Sequence, residues 1–119
     1  MKLKSEKEKP LLVGVSVLTS KTTESASEVK SLALAAKKSG LDGVVCSAQE
    51  TKEVKETCGK KFIVVNPGIR PEWAEKDDQK RVATPEEAIR NGADFIVIGR
   101  PITEADDPAG ATRKILNET

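Results

Sequence analysis

Thr84-Pro85-Glu86-Glu87-Ala88-Ile89-Arg90-Asn91-Gly92-Ala93-Asp94-Phe95-Ile96-Val97-Ile98-Gly99-Arg100 holds one complete helix-to-strand unit. Thr84 is a helix cap, Pro85 fits the first helical position, and Glu87 stands at the third. Ala88, Ile89 and Gly92 complete a short helix. Phe95 to Ile98 is continuously apolar and rich in β-branched residues. That is the pattern of a strand. Gly99-Arg100-Pro101-Ile102 then leaves the strand.

Working outward, the same unit recurs. Leu11-Leu12-Val13-Gly14-Val15-Ser16-Val17-Leu18 reads as a strand buried on both faces. Ser25-x-x-Glu28 forms a capping box, Val29, Leu32, Ala33 and Ala36 fall at helical spacing, and Gly40 ends the helix. Gly43-Val44-Val45-Cys46 is a second strand. Ala48 to Cys58 is a charged helix closed by Gly59, and Phe62-Ile63-Val64-Val65 is a third strand. A polar segment from Asn66 to Ala83 leads back to Thr84, and Asp107-Pro108 opens a last helix. The order is strand–helix four times, which implies an α/β fold with a parallel sheet. Two architectures fit this order: a small open doubly wound sheet, or half of a (β/α)8 barrel, since a whole barrel takes roughly 250 residues. Residues 1–119 read as a single domain.

Lys and Arg number 20 against 19 Asp and Glu, for a net charge of +1. This balance argues against nucleic acid as a partner, which needs a basic excess. There is no His, so no Ser-His-Asp triad, Cys-His pair or His-bound zinc can form. Cys46 and Cys58 cannot complete a zinc site between them, and they read as small core or surface residues. Met1–Lys9 alternates Lys and Glu, and the longest apolar run, Leu11–Val15, is far short of a membrane span. The chain therefore reads as a cytoplasmic protein with reduced thiols and no membrane partner.

Ligands of such sheets bind at the C-terminal ends of the strands. The polar residues there are Thr19 and Ser20, Ser47, Pro67-Gly68-Ile69-Arg70, and Gly99-Arg100. Gly99 lets a ligand approach the backbone, and the N–H groups after it open a turn suited to an anion. Arg100 and Arg70 add planar forks that match phosphate, each charge-assisted bond contributing roughly 1.5–3 kcal/mol. Taken singly, Gly-Arg is an ordinary turn with a solvated arginine, and Pro67-Gly68 is only a turn signal. Trp73 reads as an exposed loop aromatic or a small packing plug. The combination carries the phosphate reading: two Gly/Arg sites at adjacent strand ends, joined by a long polar loop. Asp42 and Asp94 are acid/base candidates of a phosphosugar barrel enzyme, but they precede their strands and so sit at the end away from that site.

Val17-Leu18-Thr19-Ser20, Leu41-Asp42-Gly43-Val44-Val45-Cys46-Ser47, Pro67-Gly68-Ile69-Arg70-Pro71, Asp77-Asp78-Gln79-Lys80-Arg81 and Ile98-Gly99-Arg100-Pro101-Ile102 follow one another along the chain. In this content and order the sequence resembles the orotidine 5′-monophosphate decarboxylase family from about Pro10 to the end. The resemblance implies the second half of a (β/α)8 barrel, strands five to eight, with residues 1–9 as the remnant of the preceding helix. It implies that Arg70, Gly99 and Arg100 hold the 5′-phosphate, with Pro67 and Gly68 shaping that turn. It implies that Gln79 bridges from phosphate toward pyrimidine, and that Thr19, with Ser20 beside it, lies near the base. It implies no metal and no cofactor.

That family's chemistry resides in an Asp-x-Lys-x-x-Asp motif of the barrel's first half. The motif occurs nowhere in these 119 residues; Asp78-Gln79-Lys80 starts like it but has Ala83 at the second Asp position. No catalytic residue is therefore expected here, and the chain alone should not decarboxylate. Two local departures stand out: Asn66 where Thr is usual, and a shortened loop after Ser20. A half-barrel has open edge strands and an unfilled apolar inner face, so a homodimer or pairing with an N-terminal half-barrel is expected. The ligand implied is orotidine or uridine 5′-monophosphate. The competing expectation is a non-catalytic scaffold or nucleotide-phosphate-binding module that self-associates.

Overall fold

The computed structural model describes residues 9–15, 26–74 and 82–119. Local signals place its elements: β1 (Val13–Val15), α1 (Ala26–Lys38), β2 (Gly43–Val45), α2 (Ala48–Cys58), β3 (Ile63–Asn66), α3 (Pro85–Arg90), β4 (Phe95–Ile96), α4 (Arg100–Thr103) and α5 (Pro108–Glu118). Thr84 caps α3, its side chain accepting a hydrogen bond from Glu87 N at 3.2 Å, a contact worth about 1 kcal/mol. Gly59 ends α2, its N–H donating to Lys55 O. Ser25, Ser16 to Leu18 and residues 1–8 lie outside the described residues, and with them the capping box, the end of the first strand and the helix remnant.

The strands pair in parallel in the order β1-β2-β3-β4. This order decides between the two architectures. A doubly wound sheet reverses its order at a switch point. An order that never reverses, with right-handed crossovers, keeps every helix on one face, as in a barrel wall. Gly43 is required at the start of β2, because a Cβ there would collide with the backbone oxygen of Ile63 on β3.

Burial follows the pleat. Gly14, Val44 and Val64 share one row, and Val15, Val45, Val65 and Phe95 share the next, on the opposite face. Val44, Val64 and Cys46 pack against Val29 and Ala33 of α1 and Val54 and Cys58 of α2. A second cluster joins Ala48, Ile69, Ala83, Ala88 and Ala93, with Ile96 and Ile98 against it. On the opposite face Val15 is 66% exposed, Phe95 53% and Val97 51%. The expectation that β1 is covered on both faces is therefore not met. The helices cover one face, and no described residue covers the other. Among the described residues, no helix is long and apolar enough to cross a membrane.

The strands are held at their N-terminal ends by a device used twice. Asp42 N donates to Leu12 O (2.8 Å), while Leu12 N donates to Asp42 Oδ2 (2.8 Å). Two strands later Asp94 N donates to Val64 O (2.9 Å), and Val64 N donates to Asp94 Oδ2 (2.9 Å). Each aspartate thus clamps its strand to the preceding one.

Candidate functional site

At the C-terminal ends of β3 and β4 the chain builds a cleft of about 240 Å³, lined by Arg70, Arg100, Trp73, Pro101 and Glu104, with Ala74 and Ala105 between them. Gly68, at φ +68°, turns the chain after β3, a conformation that favours glycine. Ile69 N then donates to Val97 O (3.4 Å) and Arg70 N to Ala83 O (2.9 Å). The Pro67 to Arg70 segment is therefore tied to the end of β4 on one side and to the approach of α3 on the other. Arg70 itself is only 6% exposed. Its side chain is ordered in advance, so gripping an anion costs little further side-chain entropy.

Arg100 begins α4, with Gly99 as the cap residue. The sequence expectation of a row of open N–H groups is narrowed here. Pro101 has no N–H, and Ile102 N and Thr103 N donate to Gly99 O at 2.9 and 3.0 Å. The basic groups of the cleft are Arg70 and Arg100 rather than a row of amides, with Glu104 beside them. A Cβ on Gly99 would meet nothing within 4 Å, so the backbone there borders open space.

The structure thus brings Arg70 and Arg100 into one cleft, with Gly99 next to Arg100 as the cap of α4 and Gly68 forming the turn before Arg70 and Pro67 beside it. Thr19, Ser20 and Gln79 lie outside the described residues. Ser47 stands apart as the N-cap residue of α2, its carbonyl accepting from Glu50 N (3.1 Å) and Thr51 Oγ1 (3.0 Å). Two residues lining the cleft were not read from the sequence as site residues. Glu104 sits four positions after Arg100, a spacing that puts both on one side of the turn. Trp73 is three positions after Arg70 in a turn closed by Ala74 N donating to Pro71 O (3.0 Å).

Other chemistry-bearing groups are accounted for structurally. A larger cleft of about 410 Å³ lies at the opposite end of the sheet, between Lys52, Lys60, Asn91 and Asp94. Its central charges are committed: Lys55 Nζ donates to Asp94 Oδ2 (2.6 Å), Phe62 O (2.7 Å) and Lys60 O (2.9 Å). Residues at that end of a barrel wall serve stability. Asp42 and Asp94 are backbone clamps, which leaves the acid/base alternative without its groups. Both cysteines are buried core residues. Burial pushes the Cys46 thiol from its ordinary 9.0 up to about 12, a hydrogen bond with Thr51 pulling the other way. Burial also raises Cys58, against the nearby Lys37 charge. Neither is poised as a nucleophile. Asn66 occupies the helix side of β3, its Nδ2 donating to Cys46 O and Thr51 Oγ1, both at 2.8 Å. It ties β3 to β2 and α2 rather than facing the cleft.

Residues 1–115 match the family model described as Orotidine 5′-phosphate decarboxylase / HUMPS family. The chain belongs to that family. It is 47% identical to the orotidine 5′-phosphate decarboxylase of Saccharophagus degradans, over 92% of this chain and 50% of that protein. It is 51% identical to that of Teredinibacter turnerae, over 92% of this chain and 51% of that protein. Among solved structures, orotidine 5′-phosphate decarboxylase from Lactobacillus acidophilus superposes with a TM-score of 0.75 at 40% identity. That match covers 92% of this chain and 49% of the other. An uncharacterized conserved protein from Geobacillus kaustophilus gives 0.76 at 33% identity, over 97% and 51%. The chain spans about half the length of the curated relatives it matches. The four parallel strands correspond to about half of the barrel of this decarboxylase family.

Proposed function

We propose that this chain supplies the phosphate-binding half of an orotidine 5′-monophosphate decarboxylase site, within pyrimidine biosynthesis in the cytoplasm. It grips orotidine or uridine 5′-monophosphate through Arg70, Gly99 and Arg100, with Gln79 and Thr19 completing the ligand's surroundings, Ser20 beside them, and Pro67 and Gly68 as the supporting turn. The observation that carries this reading is that Arg70 and Arg100, from adjacent strand ends, line one cleft. Decarboxylation develops charge on the pyrimidine carbon that loses carbon dioxide. Phosphate contacts far from that carbon supply binding energy, not the group that stabilises the charge or delivers the proton. Those groups belong to a half that carries the Asp-x-Lys-x-x-Asp motif, with which this chain pairs. The site uses no metal and no cofactor.

Titration of the labelled chain with uridine 5′-monophosphate, followed by amide NMR shifts, tests this reading. Saturable shifts at Gly99, Arg100 and Arg70, lost in Arg100→Ala, are expected. Their absence at millimolar ligand sinks it. Measurable turnover by the purified chain alone would overturn the placement of the chemistry.

A second reading rests on the exposed inner face of the sheet. Val15, Phe95 and Val97 form an apolar surface that associates in water, so two copies of the chain can close on each other as a scaffold. Analytical ultracentrifugation at micromolar concentration distinguishes a dimer from a monomer.

A further inference from the structure

We propose that Trp73 is a positioning residue, pinned by Glu118 and Lys114 of α5, and that through it α5 sets how tightly the Arg70–Arg100 cleft holds a phosphate monoester. This rests on the phosphate-binding reading above.

Trp73 is the single tryptophan of the chain. It lines the cleft beside both arginines yet is 39% exposed, so it is not a core plug. Three constraints converge on it. The turn closed by Ala74 N and Pro71 O fixes its backbone three residues beyond Arg70. Its Nε1 donates to Glu118 Oε1 at 2.9 Å. The Lys114 ammonium stands over its ring, 4.6 Å from the centroid. Lys114 and Glu118 are four residues apart and share one side of α5.

Contacts at this exposure add little to folding stability. Their effect is directional: edge, face and backbone together leave the indole one orientation. A fixed apolar wall beside two guanidiniums excludes water from one side of the cleft. That strengthens the charge-assisted hydrogen bonds an incoming phosphate makes there. A loose indole would admit water and leave the arginines a wider range of positions. Neither Lys114 nor Glu118 lines the cleft, so each can be changed without removing a ligand contact.

The test titrates the full chain with uridine 5′-monophosphate and with inorganic phosphate, following Gly99 and Arg100 amide shifts and tryptophan fluorescence together. In the unaltered chain the emission should change with the same midpoint as the amide shifts. Glu118→Ala should weaken binding about fivefold, the loss of one hydrogen bond, with the thermal midpoint unchanged. Glu118→Gln keeps an acceptor oxygen and should restore most of the affinity. Lys114→Met should weaken binding less than Glu118→Ala. Equal affinity in Glu118→Ala and the unaltered chain overturns the positioning role while the phosphate site stands. Equal loss in Glu118→Ala and Glu118→Gln also overturns it, since charge rather than the hydrogen bond would then matter. No saturable shift in the unaltered chain removes the phosphate reading and this inference with it.

Discussion

The two faces of the sheet are built from the same kinds of residue and sit in opposite surroundings. Val44 and Val64 point toward α1 and α2 and are buried, whereas Val15 and Phe95, one position along neighbouring strands, point the other way and are exposed. Residue type therefore does not distinguish a finished core from an unfinished one. What distinguishes them is whether the chain returns to cover the face, and each helix in this strand order returns to the same side.

The largest effect should come from placing one charge on each face. Val64→Asp strands a carboxylate in the α1–α2 core and should cost about 4 kcal/mol or more, abolishing the cooperative urea transition. Val97→Asp on the open face should leave that transition in place and shift sedimentation toward monomer. If both variants unfold alike, the contrast between the faces is wrong. Next comes the clamp beneath the core. Asp94→Ala removes the acceptor of Val64 N and Lys55 Nζ and should cost about 1–3 kcal/mol by urea denaturation. The dryness of the helix side can also be read by pH. Folded Cys46 stays protonated up to about 12, while its unfolded thiol ionises from about 9. The Cys46 contribution to stability should accordingly hold below pH 9 and fall by about 1.4 kcal/mol per pH unit between there and about 12, with a shallower overall slope in Cys46→Ser. The smallest folding effect lies at the strand ends. Gly99→Ala should move stability by no more than about 0.5 kcal/mol, because its Cβ enters open space, yet on the proposed phosphate reading it should weaken uridine 5′-monophosphate binding.

Elements were legible where two local signals agree. For α2, spacing and Gly59 point to the same end, and Ala48–Cys58 is observed with the expected bounds. For α3, Thr84, Pro85 and Glu87 form the expected start. The strand Phe95–Ile98 is shorter than expected as an element: pairing persists to Val97 N donating to Asn66 O (2.9 Å), and the chain then turns at Gly99. The exposure of Val15 was not legible, because an apolar run looks the same with or without a partner above it. In the site, Arg70 and Arg100 were legible because each follows a strand and a glycine within a few residues. Trp73 was not, because its partner Glu118 lies 45 residues away on α5. A pairing of that span is a product of the fold and leaves no local trace.

The aspartate clamp occurs once between β1 and β2 and once between β3 and β4. The β1–β2 and β3–β4 pairs therefore each contain their own means of setting register, and the modular unit of this chain is two strands long. A break at Gly59 would leave each module with its clamp intact. A break inside either module would part an aspartate from the strand it holds, and register in that half would rest on side-chain packing alone.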